Sequence, residues 1–218
     1  MNKDTLYKLT NEIDEFGAQL IVVTKNQPLD ELKQLLHNNY RAFGENRVQD
    51  LVDKSNQLSK EIEWHMIGHL QTNKVKLISG FVQLIHSVDS FKLATEINRS
   101  ASMHQRTQSI LLEINISNDA GKYGFSFDEL RNSLEAYNWD ALKNISICGV
   151  MGMASMTNEN QLIRSQFKKL HNHFDCLKQE YFSTQSSFKE LSMGMSGDYK
   201  FALEEGSTMV RIGSLIFQ

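Results

Sequence analysis

The chain of 218 residues carries 26 acidic and 23 basic side chains, for a formal charge of −3. The basic residues are spread along the sequence instead of forming a stripe, so nucleic acid is not an expected partner. No apolar run is long enough to cross a bilayer, and the first residues lead into a polar helix, which predicts a cytoplasmic protein without a membrane partner.

A single proline and the lack of a Gly/Ser-rich stretch indicate one domain over residues 1–218. The two cysteines, Cys148 and Cys176, are too few for a disulfide framework in a chain of this length.

Strand and helix patterns alternate along the chain. An opening helix is indicated by Leu6, Leu9, Ile13 and Phe16, which share one helical face. Strands are then predicted at 20–23, 41–44, 63–68, 82–86, 109–116, 145–150, 189–193 and 209–212. The helices that follow them are predicted at 29–36, 48–58, 74–78, 91–98, 127–137, 163–177 and 199–204.

Eight such units predict an α/β fold, a single (β/α)8 TIM barrel with an extra N-terminal helix. The alternative is an open doubly wound sheet. An open sheet of that kind binds its ligand in a crevice at one switch point, often next to a G-x-G-x-x-G motif after the first strand. This sequence lacks that motif after its first predicted strand.

Lys25 comes directly after the first apolar strand. At the C-terminal ends of barrel strands, side chains face the active site, and a lysine partly desolvated there becomes a nucleophile able to form a Schiff base. The alternative is a solvated loop lysine.

Other polar residues follow the remaining strands and should share this rim. They are Glu45, Asn46, His69, Gln71, Ser87, Asp89, Asn115, Ser196 and Ser214, with Met153 and Gly213. Ser196-Gly197 and Gly213-Ser214 end the last two strands, where TIM barrels commonly hold a phosphate. Closure of the barrel would bring strand one beside strand eight, and so Lys25 beside this anion site.

A reactive amine beside a phosphate site suggests pyridoxal phosphate (PLP). Arg211 lies within the last apolar strand, and either pairs with an acidic neighbour at the periphery or faces inward toward the pyridine nitrogen. In the second position its charge would disfavour protonation of that nitrogen and weaken the ring as an electron sink.

Two other motifs give weaker support for a function. His65 and His69 are four apart on a strand and its turn, without a third ligand at metal spacing, so no metal site is predicted. Residues 194–198 resemble a nucleophile elbow, but Asp198 stands where the second glycine belongs.

Six segments together resemble the pyridoxal phosphate homeostasis protein family, which shares the barrel of the alanine racemases without their second domain. They are Val23-Thr24-Lys25, Phe43-Gly44-Glu45-Asn46, residues 64–74, Lys122-Tyr123-Gly124, residues 191–196 and residues 210–214. Two departures stand out: Thr24 replaces the usual serine, and the sequence ends at Phe217-Gln218 without the usual Gly-Ala-Arg tail.

The resemblance implies PLP bound to Lys25 as a Schiff base. It further implies phosphate contacts from Ser196, Gly213 and Ser214, Arg211 near the ring nitrogen, and Asn46 and His65 lining the pocket. It also implies a carrier or regulator of vitamin B6 supply, with PLP-dependent apoenzymes as candidate partners and a monomer favoured over an obligate oligomer.

A non-enzymatic carrier is therefore the first hypothesis. The second is a PLP-dependent amino-acid racemase-like enzyme, in which Lys25 also transfers a proton. The tyrosine that alanine racemases bring from a partner's second domain has no counterpart in this chain, which favours the carrier. A cofactor-free Schiff-base aldolase is a third, weaker hypothesis.

Overall fold

The computed structural model describes residues 3–117 and 122–217, so Gln218 at the end of the sequence lies outside the described residues. Within these ranges, eight parallel strands form a closed barrel in chain order. The strands are β1 (Gln19–Val23), β2 (Ala42–Glu45), β3 (Glu63–Met66), β4 (Leu84–Val88), β5 (Gln108–Glu113), β6 (Ile145–Met151), β7 (Glu190–Met195) and β8 (Met209–Ile212).

The helices alternate with the strands, as the sequence predicts. They are α1 (Lys3–Glu15), α2 (Leu29–His37), α3 (Val48–Gln57), α4 (Phe91–Met103), α5 (Phe127–Ala136), α6 (Asn160–Glu180) and α7 (Tyr199–Glu204). Among the described residues, no helix has both the length and the apolar character needed to cross a membrane.

Pairing of the first and last strands closes the barrel. Four residues of β1 are in register with four of β8, from Gln19 opposite Met209 to Val22 opposite Ile212. The predicted TIM barrel is thereby confirmed, and the turns after β1 and β8 become neighbours.

The N-terminal helix α1 is also confirmed. Leu6, Leu9 and Ile13 are buried on one face, as their spacing predicts. On its other side, Glu12 accepts a hydrogen bond from the Tyr199 hydroxyl at 2.9 Å and pairs with Lys200 at 2.9 Å. Helix α1 is therefore fastened to α7, which follows β7.

The barrel interior is built from residues that alternate along each strand. An apolar cluster occupies part of it, formed by Ile21, Ala42, Leu84, Leu111, Met151 and Met209. Buried polar side chains share the interior, some of them on the same strands: His65, His86, Ser192 and Arg211. A polar chain through the middle of a barrel needs every member hydrogen-bonded, because unpaired polar atoms are costly there.

Three details differ from the sequence predictions. The connection after β3 is a 3-10 helix, Thr72–Leu77, in place of the predicted helix at 74–78. Helix α1 ends at Glu15, so Phe16 lies outside it and is 51% exposed. A further 3-10 helix, Trp139–Ala141, precedes β6 and has too short a pattern to show helical periodicity.

Candidate functional site

A cavity of about 260 Å³ opens at the C-terminal ends of the strands. Six of the seven predicted site residues line it: Lys25, Asn46, Ser196, Arg211, Gly213 and Ser214. The rest of the wall is Val23, Ile67, Met153, Met195 and Gly197, so apolar side chains line the cavity together with the polar ones. Of these, Ile67 and Val23 were not singled out from the sequence.

Lys25 lies in a tight turn directly after β1. The amide of Gln27 donates to the carbonyl of Thr24 at 3.1 Å, and Asn26 adopts a left-handed conformation with φ of 60°. Lys25 is exposed, so the partial burial expected from the sequence is wrong. The strand ends at Val23 and the turn lifts Lys25 to the rim, where its side chain lines the cavity.

A buried cluster beneath this turn holds it in place. The Thr24 hydroxyl donates to Glu45 Oε1 at 2.5 Å, and Lys54 Nζ donates both to Glu45 Oε1 at 2.6 Å and to the Thr24 carbonyl at 2.7 Å. Glu45 is fully buried at the end of β2. The sequence predicts Glu45 at the rim; its side chain instead supports the backbone that precedes Lys25.

The ends of β7 and β8 meet beside the end of β1 on the cavity wall. The Gly213 amide lies 3.4 Å from Ser196 Oγ, which accepts its hydrogen bond. A Cβ on Gly213 would come within 2.8 Å of the Val23 carbonyl oxygen, so only glycine allows β8 to end this close to β1. Asp198 shapes the loop after β7, because its Oδ1 accepts from the Met195 amide at 2.6 Å.

Arg211 faces inward, beneath the cavity. Its Nη1 donates to Ser192 Oγ at 2.5 Å and its Nη2 donates to the Gly152 carbonyl at 3.2 Å. Burial lowers the pKa of Arg211 to about 10, opposed by the charges of Asp198 and Glu113. The guanidinium therefore stays charged at neutral pH. Of the two positions considered from the sequence, the geometry supports the inward one.

His65 does not line this cavity. It is 2% exposed in the barrel interior, where its Nδ1 lies 2.9 Å from His86 Nε2. The Nδ1 of His86 lies 3.0 Å from Ser192 Oγ, which in turn accepts from Arg211. His65 is the third of the four residues of β3, and its ring lies in the barrel interior below the rim, so it connects to the site through this chain of hydrogen bonds.

The protonation of the two histidines follows from their burial. Burial lowers the pKa of His65 to about 4. The pKa of His86 is lowered well below its usual value by burial, with smaller effects from the charges of His65 and Arg211. Both rings are therefore neutral at neutral pH, and each has one N–H donor.

Glu113 is a further buried acid at the end of β5, and sequence reasoning missed it. It is 3% exposed, and its Oε2 has no hydrogen-bond partner among the described residues. Burial raises the pKa of Glu113 to about 7, assisted by the charge of Asp89 and opposed by that of Arg211. The alternation of Ser109, Leu111 and Glu113 along β5 would have indicated an inward side chain.

The other predicted rim residues lie outside the cavity. His69 pairs with Asp89 at 3.4 Å and stacks on Tyr123 with ring centroids 3.7 Å apart. They form a separate polar patch at the ends of β3 and β4.

Comparison with known proteins identifies the family. The alanine racemase N-terminal domain family matches residues 4–218. A pyridoxal phosphate homeostasis protein of Aquifex aeolicus is 37% identical over 92% of this chain and 86% of its own length. The chain belongs to the pyridoxal phosphate homeostasis protein family.

Solved structures agree with this assignment to the pyridoxal phosphate homeostasis protein family. PipY of Synechococcus elongatus PCC7942, determined without PLP, is 31% identical, with a TM-score of 0.91 over 99% of both chains. PipY with PLP bound is 30% identical, with a TM-score of 0.88 over 99% of both. An alanine racemase of Clostridium difficile is 14% identical, with a TM-score of 0.72 over 98% of this chain and 56% of that one, which shows a shared fold.

Proposed function

We propose that this protein binds PLP in the 260 Å³ cavity, carries it as a Schiff base on Lys25, and serves intracellular vitamin B6 homeostasis as a carrier. The observation that supports this most is the meeting of Lys25, the Ser196–Gly213–Ser214 turns and the Arg211 guanidinium at one cavity. PLP-dependent apoenzymes are the proposed recipients of the cofactor.

The residues present fit PLP. At one end of the cavity, two hydroxyls and glycine backbone suit a phosphate, since glycine lets oxygens approach N–H groups. Apolar side chains, among them Met153 and Met195, provide a soft wall for a flat ring. Arg211 supplies a fixed donor beneath it, and Lys25 supplies the amine.

When bound, PLP supplies an aldehyde that condenses reversibly with a lysine amine. Lys25 is exposed on its turn, so its amine is reachable by water and by incoming amines. That access suits exchange of a carried cofactor, whereas turnover benefits from a closed site that excludes water.

Arg211 contributes a property that favours carriage. Its charge would disfavour a proton on a ring nitrogen held beside it, and a ring without that proton would be a poor electron sink. Ser192 and the Gly152 carbonyl hold the guanidinium in one orientation, so this effect is built into the barrel.

Titration of the purified protein with PLP, followed by absorbance, tests the proposal. We expect a visible imine band with one equivalent bound, and loss of that band in Lys25→Ala. Lys33→Ala is the matched control, because Lys33 is an exposed lysine on α2 that pairs with Asp30. An unchanged band in Lys25→Ala would refute the assignment of Lys25.

The racemase-like alternative is favoured by one observation: Glu113, buried at the end of β5 behind the cavity wall, interacts with the charge of the wall residue Arg211, and burial raises its pKa to about 7. Such a carboxyl can both give and take a proton near neutral pH. Incubation of the PLP-loaded protein with amino acids in deuterated water distinguishes the two functions. Exchange of the Cα proton at enzyme-like rates, lost in Glu113→Gln, would favour the enzyme over the carrier.

A further inference from the structure

A second cavity of about 300 Å³ lies at the opposite end of the barrel, and we call it the N-terminal cavity. Its wall is formed largely by residues at the starts of the strands. These are Gln19, Glu63, His65, Gln83, Leu84, Ser109, Ser146, Cys148, Ser187, Lys189, Glu190 and Met209. TIM-barrel chemistry normally occupies the other face, so nothing in the proposed function uses this cavity.

His65 brings an unused hydrogen-bonding atom to this cavity. The ring lines the cavity and is 2% exposed, and its Nε2 has no hydrogen-bond partner among the described residues. A buried polar atom without a partner is costly, so its presence beside a cavity points to a ligand atom.

The chain of hydrogen bonds fixes Nε2 as a donor. Arg211 can only donate to Ser192, so the Ser192 hydroxyl is free to donate onward to His86 Nδ1. His86 then donates from Nε2 to His65 Nδ1, which leaves the proton of His65 on Nε2. The opposite direction would leave the Ser192 proton without an acceptor among the described residues. His65 therefore offers an N–H, and the ligand must offer an acceptor.

The charged residues of the cavity wall favour a positive charge at the other end of the ligand. The wall has two glutamates, Glu63 and Glu190, and one lysine, Lys189, whose Nζ lies 3.9 Å from Glu190, so the ionisable wall carries a net charge of −1. Glu63 lies two residues before His65 on β3 and on the same side of the strand, about 6.6 Å away along it. An ammonium near Glu63 and an oxygen near His65 would thus be about five bonds apart.

We propose that the N-terminal cavity binds a small cationic amine that carries an uncharged acceptor oxygen, such as an amino alcohol. The ammonium pairs with Glu63 and Glu190, and the oxygen accepts from His65 Nε2. A carboxylate in place of that oxygen is disfavoured, because one neutral N–H does not compensate its desolvation beside two glutamates.

Two cysteines make the test internally controlled. Cys148 lines the cavity and is half-buried, and Cys176 is a half-buried thiol on α6, outside the cavity wall. The probe is 4-amino-1-butanol at about 10 mM, several times a Kd on the order of 1 mM for so small a ligand. Its matched controls are butylamine, which lacks the acceptor, and 1,4-butanediol, which lacks the charge.

We expect the amino alcohol to slow iodoacetamide modification of Cys148 several-fold, measured by mass spectrometry, without slowing that of Cys176. The slowing of Cys148 modification by each control compound should be at least threefold smaller, because each one lacks one hydrogen bond or one ion pair. Glu63→Gln, an exposed substitution that should preserve folding, should abolish the preference over butanediol. In ¹⁵N-histidine spectra, the amino alcohol should shift the Nε2 signal of His65.

Equal protection by all three compounds, or none by the amino alcohol, would overturn the proposal. An unmoved His65 Nε2 signal would likewise show that only an ordered water meets that N–H. The inference is independent of the cofactor: protection of Cys148 should persist in Lys25→Ala, so its failure and that of the proposed PLP function are distinguishable.

Discussion

Arg211 shows how a single residue links the two ends of the barrel. A guanidinium in the barrel interior needs fixed acceptors, and Ser192 Oγ and the Gly152 carbonyl provide them at 2.5 Å and 3.2 Å. Ser192 also connects to His86 and, through it, to His65. Because each member depends on the next for a hydrogen bond, the position of Arg211 is set by residues that never touch the cofactor-sized cavity.

Glu113 gives a prediction in pH dependence. Its pKa is raised to about 7 in the fold, mainly by burial, against about 4.3 in an unfolded chain. Between these values the folded state holds the extra proton, so the stability contributed by Glu113 is present at low pH and lost as the pH rises toward 7. Glu113→Gln removes this loss. The unfolding free energy of the variant minus that of the unmodified protein should therefore rise by about 2 kcal/mol from pH 5 to pH 8.

Urea denaturation at both pH values measures this difference. The low pKa of His65 acts with the opposite sign, but it is common to both proteins and cancels in the comparison. Glu61→Gln, at a carboxyl 70% exposed to solvent, is the control and should show a much smaller change. Equal pH dependence of Glu113→Gln and the unmodified protein would contradict the assigned burial of a neutral acid.

At the scale of elements, helix α3 supports the Lys25 turn. Lys54 on α3 spans from Glu45 at the end of β2 to the Thr24 carbonyl at the end of β1. Lys54 forms an ion pair with the Glu45 carboxylate, which is 0% exposed. Removing the lysine would therefore leave a buried charge unpaired.

Lys54→Met should therefore lower the unfolding free energy by about 3 kcal/mol, because the lost partner is not replaced by water. The measurement is urea denaturation at neutral pH, with Lys33→Met as the control at an exposed pair whose loss costs under about 1 kcal/mol. Similar losses in the two variants would show that the Glu45 site is solvated. A double variant, Lys54→Met with Glu45→Gln, should recover part of the stability.

The sequence predicted the barrel well because each strand is a short apolar run followed by a polar turn. It placed Lys25, Asn46, Ser196, Gly213 and Ser214 at one rim by counting strand ends, and the structure brings these residues to one cavity. Counting strand ends does not show how deep in the barrel a side chain lies. His65 was expected in the pocket, yet its ring points into the barrel interior, where it lies against His86.

Side-chain orientation explains the remaining differences. Glu45 was predicted on the rim, but the last residue of β2 turns its carboxylate toward Thr24 and Lys54 on the outer side. The hydrogen bonds from His65 through His86 to Ser192 join β3, β4 and β7, which are far apart in sequence. No local pattern encodes such a contact, although the alternation of inward positions could have indicated that His65 and His86 both face the interior.

At the scale of the whole molecule, α1 contributes to the outer core. Leu6, Leu9 and Ile13 are at most 4% exposed, and each such buried side chain contributes about 1.5–3 kcal/mol. Their sum is comparable with the total stability of a typical domain. Deletion of residues 1–15 should therefore abolish the cooperative thermal transition followed by circular dichroism.

A milder substitution keeps this prediction quantitative. Ile13→Ala should cost about 2–5 kcal/mol, since the side chain is fully buried. Tyr7→Ala, on the same helix but 68% exposed, should cost far less. Retention of the full melting temperature by the deletion variant would show that the barrel is stable without α1.

The central claim is that one amine at the mouth of the barrel holds PLP, and borohydride reduction followed by peptide mapping tests it most directly. The account predicts that the reduced pyridoxyl group is found on the peptide containing Lys25, at one equivalent per chain. A label on another lysine, or no label after incubation with excess PLP, would contradict it.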